Sequence, residues 1–287
     1  MRADAYHKPF DHFVVERFMQ PADLLDWLGE TQMSRTATGE SVFSRVVRIV
    51  EAFDPDTPAL RMGEIARRSE LHVATTSRLV EALVCHGWLE RTADRKVRVG
   101  LRLWELASRA SPTLGLREAA MPFLQDLHAV VGHHAQLSVL DGEEVLFIER
   151  LSTPGAINSI SRIAGRLPLH VSSSGLVLLA FAPAGIQERV LAGPLRAYTQ
   201  QTITDPRRLR SVLADVRRNG YAYCPAVVED KATGIAVPIR DSDRGFLAAM
   251  SIIVPNDENA RMLIPALQTA ARGITRAVSK RRLNDGP

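Results

Sequence analysis

The stretch His72–Gly100, HVATTSRLVEALVCHGWLERTADRKVRVG, constrains this chain more than any other. Leu79, Val80 and Leu83 recur at helical spacing and give a helix with one buried stripe. Thr75 and Arg78 lie three residues apart as neighbours on a face predicted to be exposed. Gly87 is a helix stop. Trp88 and Leu89 follow, then a polar turn through Thr92, Ala93 and Asp94. Lys96-Val97-Arg98-Val99 alternates with a period of two, which sends the valines inward and the basic side chains outward. A polar-faced helix followed by a basic two-stranded hairpin has the shape of a winged helix-turn-helix, a module that enters a DNA groove.

The residues before it complete the module. Ser41 is an N-cap for a helix to about Phe53, with Val42, Val46, Ile49, Val50 and Phe53 inward. Asp54-Pro55-Asp56-Thr57-Pro58 is a turn, and Met62–Ser69 a short helix with Arg67 and Arg68 outward. Residues 1–40 read as a loosely ordered arm, a flexible extension or one that packs on a partner subunit. Within it PADLLDWLGE, 21–30, can form a short amphipathic helix on Leu24, Leu25 and Leu28.

Leu101–Ala110 is a linker helix, and Pro112 and Gly115 mark a boundary within a 101–115 linker. A second module follows over 116–282. Its first helix is lined by Leu116, Ala119, Phe123, Leu127 and Val130 or Val131. Ala135–Leu140 and Val145–Arg150 form a hairpin turning at Asp141-Gly142. Ile157–Ile163 is a further strand candidate with Ser159 and Ser161 away from the isoleucines. Ser172-Ser-Ser-Gly175 leads into the apolar helix Leu176–Phe181. Asp205-Pro206 opens a helix that Gly220 ends. Thr233–Arg240 and Phe246–Val254 form a second hairpin around a turn at 241–245. The last helix, from about Asp257 to Lys280, is bent early by Pro265. Hairpins interleaved with helices define an α+β module, a sheet with helices packed around it.

The 287 residues suffice for two ordinary domains, and 46% hydrophobic with 24% charged content is that of a soluble globular chain. The net charge of +4 permits a nucleic-acid partner without requiring one, so the placement of the basic residues decides. Two distant cysteines, Cys85 and Cys224, make neither a zinc framework nor a disulfide and suit a reducing cytoplasm. The N-terminus has no signal-peptide core, and no apolar run spans a bilayer, so no membrane partner is expected.

The ordered series SVFSRVVRIVEAF, MGEIARRSELHVATTSRLVEAL, GWLERTADRKVRVG, LSVLDGEEVLFIER, RLPLHVSSSGLVLLA, TDPRRLRSVLADVRRNGYA, TGIAVPIRD and FLAAMSIIVP resembles the IclR-type bacterial transcriptional regulators from about Ser41 to the last helix. The resemblance implies an N-terminal winged helix, a linker helix and a C-terminal effector-binding domain of GAF-like fold with an antiparallel sheet. It also implies dimers or dimers of dimers on a palindromic double-stranded DNA operator. A small-molecule effector, an organic acid or aromatic metabolite, would modulate that binding.

Thr75, Thr76, Ser77 and Arg78 match the start of the family's recognition helix. Small hydroxyls approach phosphates or base edges closely, and arginine can pair with guanine. Arg91, Arg95, Lys96 and Arg98 on the wing are candidate backbone or minor-groove contacts, or else a solvated charged hairpin. Ser172, Ser173 and Ser174 precede a helix N-terminus, which favours an anion such as a carboxylate; simple N-capping is the alternative. By resemblance Cys224, Gly234 and Ser251 join the effector pocket. Cys224 stands where acidic residues are frequent in the family and Gly234 where cysteine is. Ile253 replaces the second of two final-strand serines, and these departures together point to a ligand less polar than a small dicarboxylate, or to one gripped differently. His170 either orients an acid or is structural.

No G-x-S-x-G, H-E-x-x-H or phosphate-loop motif is present, so neither an enzyme nor a cofactor or metal is expected. His133-His134 reads as a positive helix cap. The weaker alternatives are a hydrolase built on Cys224 with Asp126 or Glu149 and a histidine, and a winged-helix protein acting through protein contacts alone.

Overall fold

The computed structural model describes residues 40–284, apart from 55, 110, 112, 158 and 242–244. The expected arm helix and the tip of the last hairpin lie outside the described residues. The chain divides into two compact units between Ala110 and Ser111.

The first unit contains α1 (Val42–Glu51), β1 (Ala59–Leu60), α2 (Met62–Arg68), α3 (Val73–Cys85), β2 (Leu89–Arg91), β3 (Val97–Val99) and α4 (Leu101–Arg109). Ser41 caps α1 by accepting from Ser44 N at 3.0 Å. Asp54 ties the following turn, accepting from Asp56 N, Thr57 N and the Thr57 hydroxyl and pairing with Arg68. These partners, the Thr57 hydroxyl first, lower its carboxyl to about 2. The wing is a three-stranded antiparallel sheet in the order β1-β3-β2. Sequence alone missed β1, because two residues carry no period. Ile49, Leu60, Ile65, Leu79, Val80, Leu83, Leu89 and Val97 form the unit's core. Val99 shares the inward parity of Val97 but is 40% exposed, since the core ends before it.

The second unit is built on a six-stranded antiparallel sheet in the order β6-β5-β4-β9-β8-β7. Its strands are β4 (His134–Asp141), β5 (Glu144–Ser152), β6 (Arg166–Pro168), β7 (Ala222–Pro225), β8 (Ala232–Asp241) and β9 (Gly245–Pro255). Strand parity separates the two faces. Ala135, Leu137, Ile235, Val237, Met250 and Ile252 pack on α5 (Leu114–Val131) and α9 (Ile264–Asn284). Leu267, Ala271, Ile274 and Val278 form the buried stripe of α9. Pro265 falls in its first turn, directly after a 3-10 segment Glu258–Leu263, so it ends that segment instead of bending a continuous helix.

The opposite face, with Val145, Phe147, Ala236 and Ala249, receives α6 (Ser173–Phe181), which is covered in turn by α7 (Ala184–Ala192) and α8 (Pro206–Asn219). Because α6 is enclosed on all sides, Leu176, Val177, Leu178 and Leu179 are all buried. Asp205 caps α8 by accepting from Arg207 N and Arg208 N.

Two sequence expectations are corrected. The described residues of the segment 157–163 form no strand. They are part of a loop between β5 and β6, in which Ser161 is 5% exposed and Ile160 and Ile163 about half exposed. The alternation is real, but the serines turn inward because polar partners await them there. Similarly, α5 closes at Gly132, and His134 opens β4 at 3% exposure instead of capping the helix as a cation.

Candidate functional site

The residues expected to meet DNA in the first unit lie at the start of α3. His72 caps it, its Nδ1 accepting from Ala74 N at 3.3 Å. Thr75 is half-buried, while Ser77 and Arg78 are exposed. Thr76 is fully buried and donates its hydroxyl to His72 O at 3.2 Å, so it does not reach outward as expected. The reason is its register: residues 76, 79, 80 and 83 are one helical stripe.

On the wing, Arg91 pairs with Glu81 at 2.7 Å, Lys96 with Asp94 at 2.9 Å and Arg98 with Glu90. Lys96 helps, after the Thr92 hydroxyl, to lower the Asp94 carboxyl to about 2. Arg78 and Arg95 have no side-chain partner among the described residues. Exposed pairs contribute at most about 1 kcal/mol, so the paired cations can exchange partners for phosphate at small cost. Arg78 and Arg95 have nothing to exchange.

The second unit contains a narrow cavity of about 50 Å³ between the sheet, the N-terminus of α6 and two loops. A single water needs roughly 10–15 Å³, so a larger ligand requires the walls to give. Ser172, Ser173, Ser174, Cys224 and Gly234 all line it. Ser172 is the N-cap, accepting from Gly175 N at 3.0 Å. Ser174 Oγ donates to Ser251 Oγ at 2.8 Å, and Ser251 Oγ donates to Gln136 Oε1 at 3.4 Å. Ser251 therefore stands behind the wall as a support. Gln136 Nε2 donates on to Ser161 Oγ, which is bonded to Ser159 Oγ at 2.7 Å. This chain ties α6, β9, β4 and the 153–165 loop into one preorganised wall.

Ser173 differs from its neighbours. It is 2% exposed, and its hydroxyl has no hydrogen-bond partner among the described residues. It fits because position 234 has no side chain: a Cβ there would lie 2.9 Å from Ser173 Oγ and 3.4 Å from Ile253 Cδ1. Gly234 and Ile253 are thus complementary, the large residue occupying space the small one leaves.

Gln136, Phe147, Ser159, Ser161, Val227 and Glu229 also line the cavity and escaped the sequence reading. Gln136 left a signal, a polar residue at an inward position of an alternating strand. Glu229 left none.

The nucleophilic alternative does not assemble. Burial pushes the Cys224 thiol up to about 12. Glu149 is on the other sheet face, paired with Arg117 on α5. His170 bonds Arg196 O at 3.0 Å, away from the cavity lining. Among the described residues no group of three potential metal ligands occurs, and no helix is long and apolar enough to cross a membrane.

Burial lowers both His134 and His170 below their usual value, while hydrogen bonds to Ile157 O and Arg196 O oppose it. The unfolded chain then binds more protons than the folded one at mildly acid pH. Their stabilisation is complete above about pH 6.5 and is lost as pH falls through the depressed folded values. Calorimetry of the second unit should show a melting temperature flat above neutrality and falling below pH 6.5, well before carboxylates titrate. A flat profile down to pH 5 would contradict it.

A winged helix and a sheet domain with an internal cavity are the parts of a DNA-binding regulator with an effector domain. Residues 43–93 match the IclR helix-turn-helix domain, and residues 109–280 match the family described as Bacterial transcriptional regulator IclR C-terminal. The chain belongs to this family, whose members are transcriptional regulators and not enzymes. An IclR homolog from Microbacterium hydrocarbonoxydans in complex with 4-hydroxybenzoate is 44% identical, with a TM-score of 0.80 over 83% of this chain and 99% of that one. The IclR of Thermotoga maritima is 26% identical with a TM-score of 0.66, over 83% and 96% of the two chains. The HTH-type transcriptional regulator XynR of Escherichia coli is 28% identical over 210 residues, 72% of this chain and 83% of that one.

Proposed function

We propose that this protein binds a palindromic operator as a dimer or dimer of dimers and that an aromatic carboxylic acid modulates that binding. In this reading 41–100 contacts DNA, 101–115 links, 116–282 senses, and the arm 1–40 is an extension of the first module. Ser77 and Arg78, with Thr75 at their edge, face bases or phosphates; Arg91, Arg95, Lys96 and Arg98 hold the backbone.

The observation that carries the effector reading is the unspent hydroxyl of Ser173 at the N-terminus of α6, inside a cavity. Free N–H groups and a helix dipole favour an anion there, and Ser173 adds a donor that no protein group uses. Phe147, Val227 and Ile253 supply apolar walls suited to a ring. The similarity to a homolog that binds 4-hydroxybenzoate supports the same chemistry.

The test is a thermal-shift and calorimetric titration with benzoates, alongside retardation of a promoter fragment from the gene's own neighbourhood. A bound acid should raise the melting temperature by mass action and change operator affinity. Ser173→Ala should weaken the acid about tenfold, the worth of one hydrogen bond to a charged group. Because that hydroxyl has no protein partner, the melting temperature without ligand should stay unchanged. Equal affinities for variant and wild type would remove Ser173 from the site.

A further inference from the structure

The lining of the cavity contains a carboxylate, Glu229, and no arginine, lysine or histidine. At the cavity surface an acid meets the N–H groups of α6 and neutral donors such as Ser173; the guanidinium of Arg150 stands behind the lining, donating to Ser161 O. It also meets a second negative group on the wall. Glu229 is half-buried, and a ligand carboxylate seated beside it repels it more strongly as the ligand displaces the water between them.

Glu229 is held there by its loop. Thr202 Oγ1 donates to Val227 O at 2.7 Å, and Thr199 Oγ1 donates to Ala226 O at 2.7 Å. Ala226 N donates to Ala232 O at 2.9 Å, and Ala232 N to Glu229 O at 3.0 Å. Asn256 N and Nδ2 donate to Lys231 O and Asp230 O. The backbone carrying Glu229 is therefore fastened on both sides. Its side chain has no hydrogen bond or ion pair among the described residues, so its acceptor oxygens are unused.

We infer that Glu229 is the specificity-determining residue of the cavity: it selects an acid that also carries a hydrogen-bond donor, such as a phenolic hydroxyl, away from its carboxylate, and it rejects the same acid without that donor. This rests on the aromatic-acid reading above. A donor turns the repelling carboxylate into a charge-assisted acceptor, whereas a ring without one leaves it desolvated and unpaired.

Calorimetric titration of the full chain with 4-hydroxybenzoate, 4-methoxybenzoate and benzoate tests it, on wild type, Glu229→Ala and Glu229→Gln. Wild type should prefer the hydroxy acid to benzoate by about 10- to 100-fold, with the methoxy acid no better than benzoate. In Glu229→Ala the preference should collapse towards one, through weaker hydroxy-acid binding and equal or tighter benzoate binding. Glu229→Gln, which keeps an acceptor without the charge, should fall between. Persistence of the preference in Glu229→Ala, or its absence in wild type, overturns the role of Glu229 while leaving the effector reading intact. No binding of any of the three acids to wild type overturns both.

Discussion

Arg78→Ala should lower operator affinity by about 10- to 100-fold, the 1–3 kcal/mol that a bidentate arginine–base pair contributes, and should blur discrimination between sequences. The structure strengthens this choice of residue. Arg78 is exposed on α3 and has no side-chain partner among the described residues, so its removal breaks nothing in the free protein. The wing cations should behave differently. Arg95, likewise unpaired, should weaken all sequences alike when changed to alanine and flatten the slope of log affinity against log salt by about 0.9. Lys96→Ala should have a smaller effect, because its ammonium already sits 2.9 Å from Asp94 and must leave that carboxylate to meet a phosphate. Fluorescence anisotropy on specific and random duplexes across a salt series separates these outcomes. An Arg78→Ala variant that loses affinity equally for both duplexes would make Arg78 a phosphate contact.

Gly175→Ala should destabilise the second unit by about 2–3 kcal/mol, the usual cost of overpacking, and lower its melting temperature by about 5–10 °C. A Cβ at 175 would lie 2.2 Å from Leu169 O and 2.7 Å from Leu169 C, backbone atoms that cannot swing away. The only relief is to lift α6 from the chain before it, and α6 is enclosed between the sheet and α8. The displaced segment includes Ser173, so effector binding should be lost with the stability. Scanning calorimetry with a benzoate titration checks both. A variant with wild-type melting and binding would mean that Leu169 and α6 are not in that contact.

The winged unit was legible because its information is local. The stripe of residues 79, 80 and 83, the stop at Gly87 and the alternation 96–99 lie within one stretch, and each obeys a short period. The burial of Thr76 is itself local information, since 76 extends that stripe by one step. The hairpins and capped helices of the second unit were legible for the same reason. Ile157–Ile163 misled because alternation records which side chains share an environment, and a loop packed over polar partners produces it as well as a strand does.

The cavity was only half legible. Ser172, Ser173 and Ser174 announced themselves as a polar step before an apolar helix, and Cys224, Gly234 and Ser251 were placed by resemblance. Gln136 and Ser251 meet across 115 residues of chain because β9 inserts between β4 and β8, a strand order that no local period encodes. What the sequence by itself determined is therefore the longer helices, the hairpins and most of their inward faces, all consequences of short-range periodicity and capping. The tertiary structure alone decided which polar groups spend their hydrogen bonds on one another and which remain unspent. Ser173 and Glu229 on the cavity wall, and Arg78 and Arg95 on the first unit, are unspent because satisfaction depends on neighbours brought close by sheet order and loop closure, and those are properties of the folded chain.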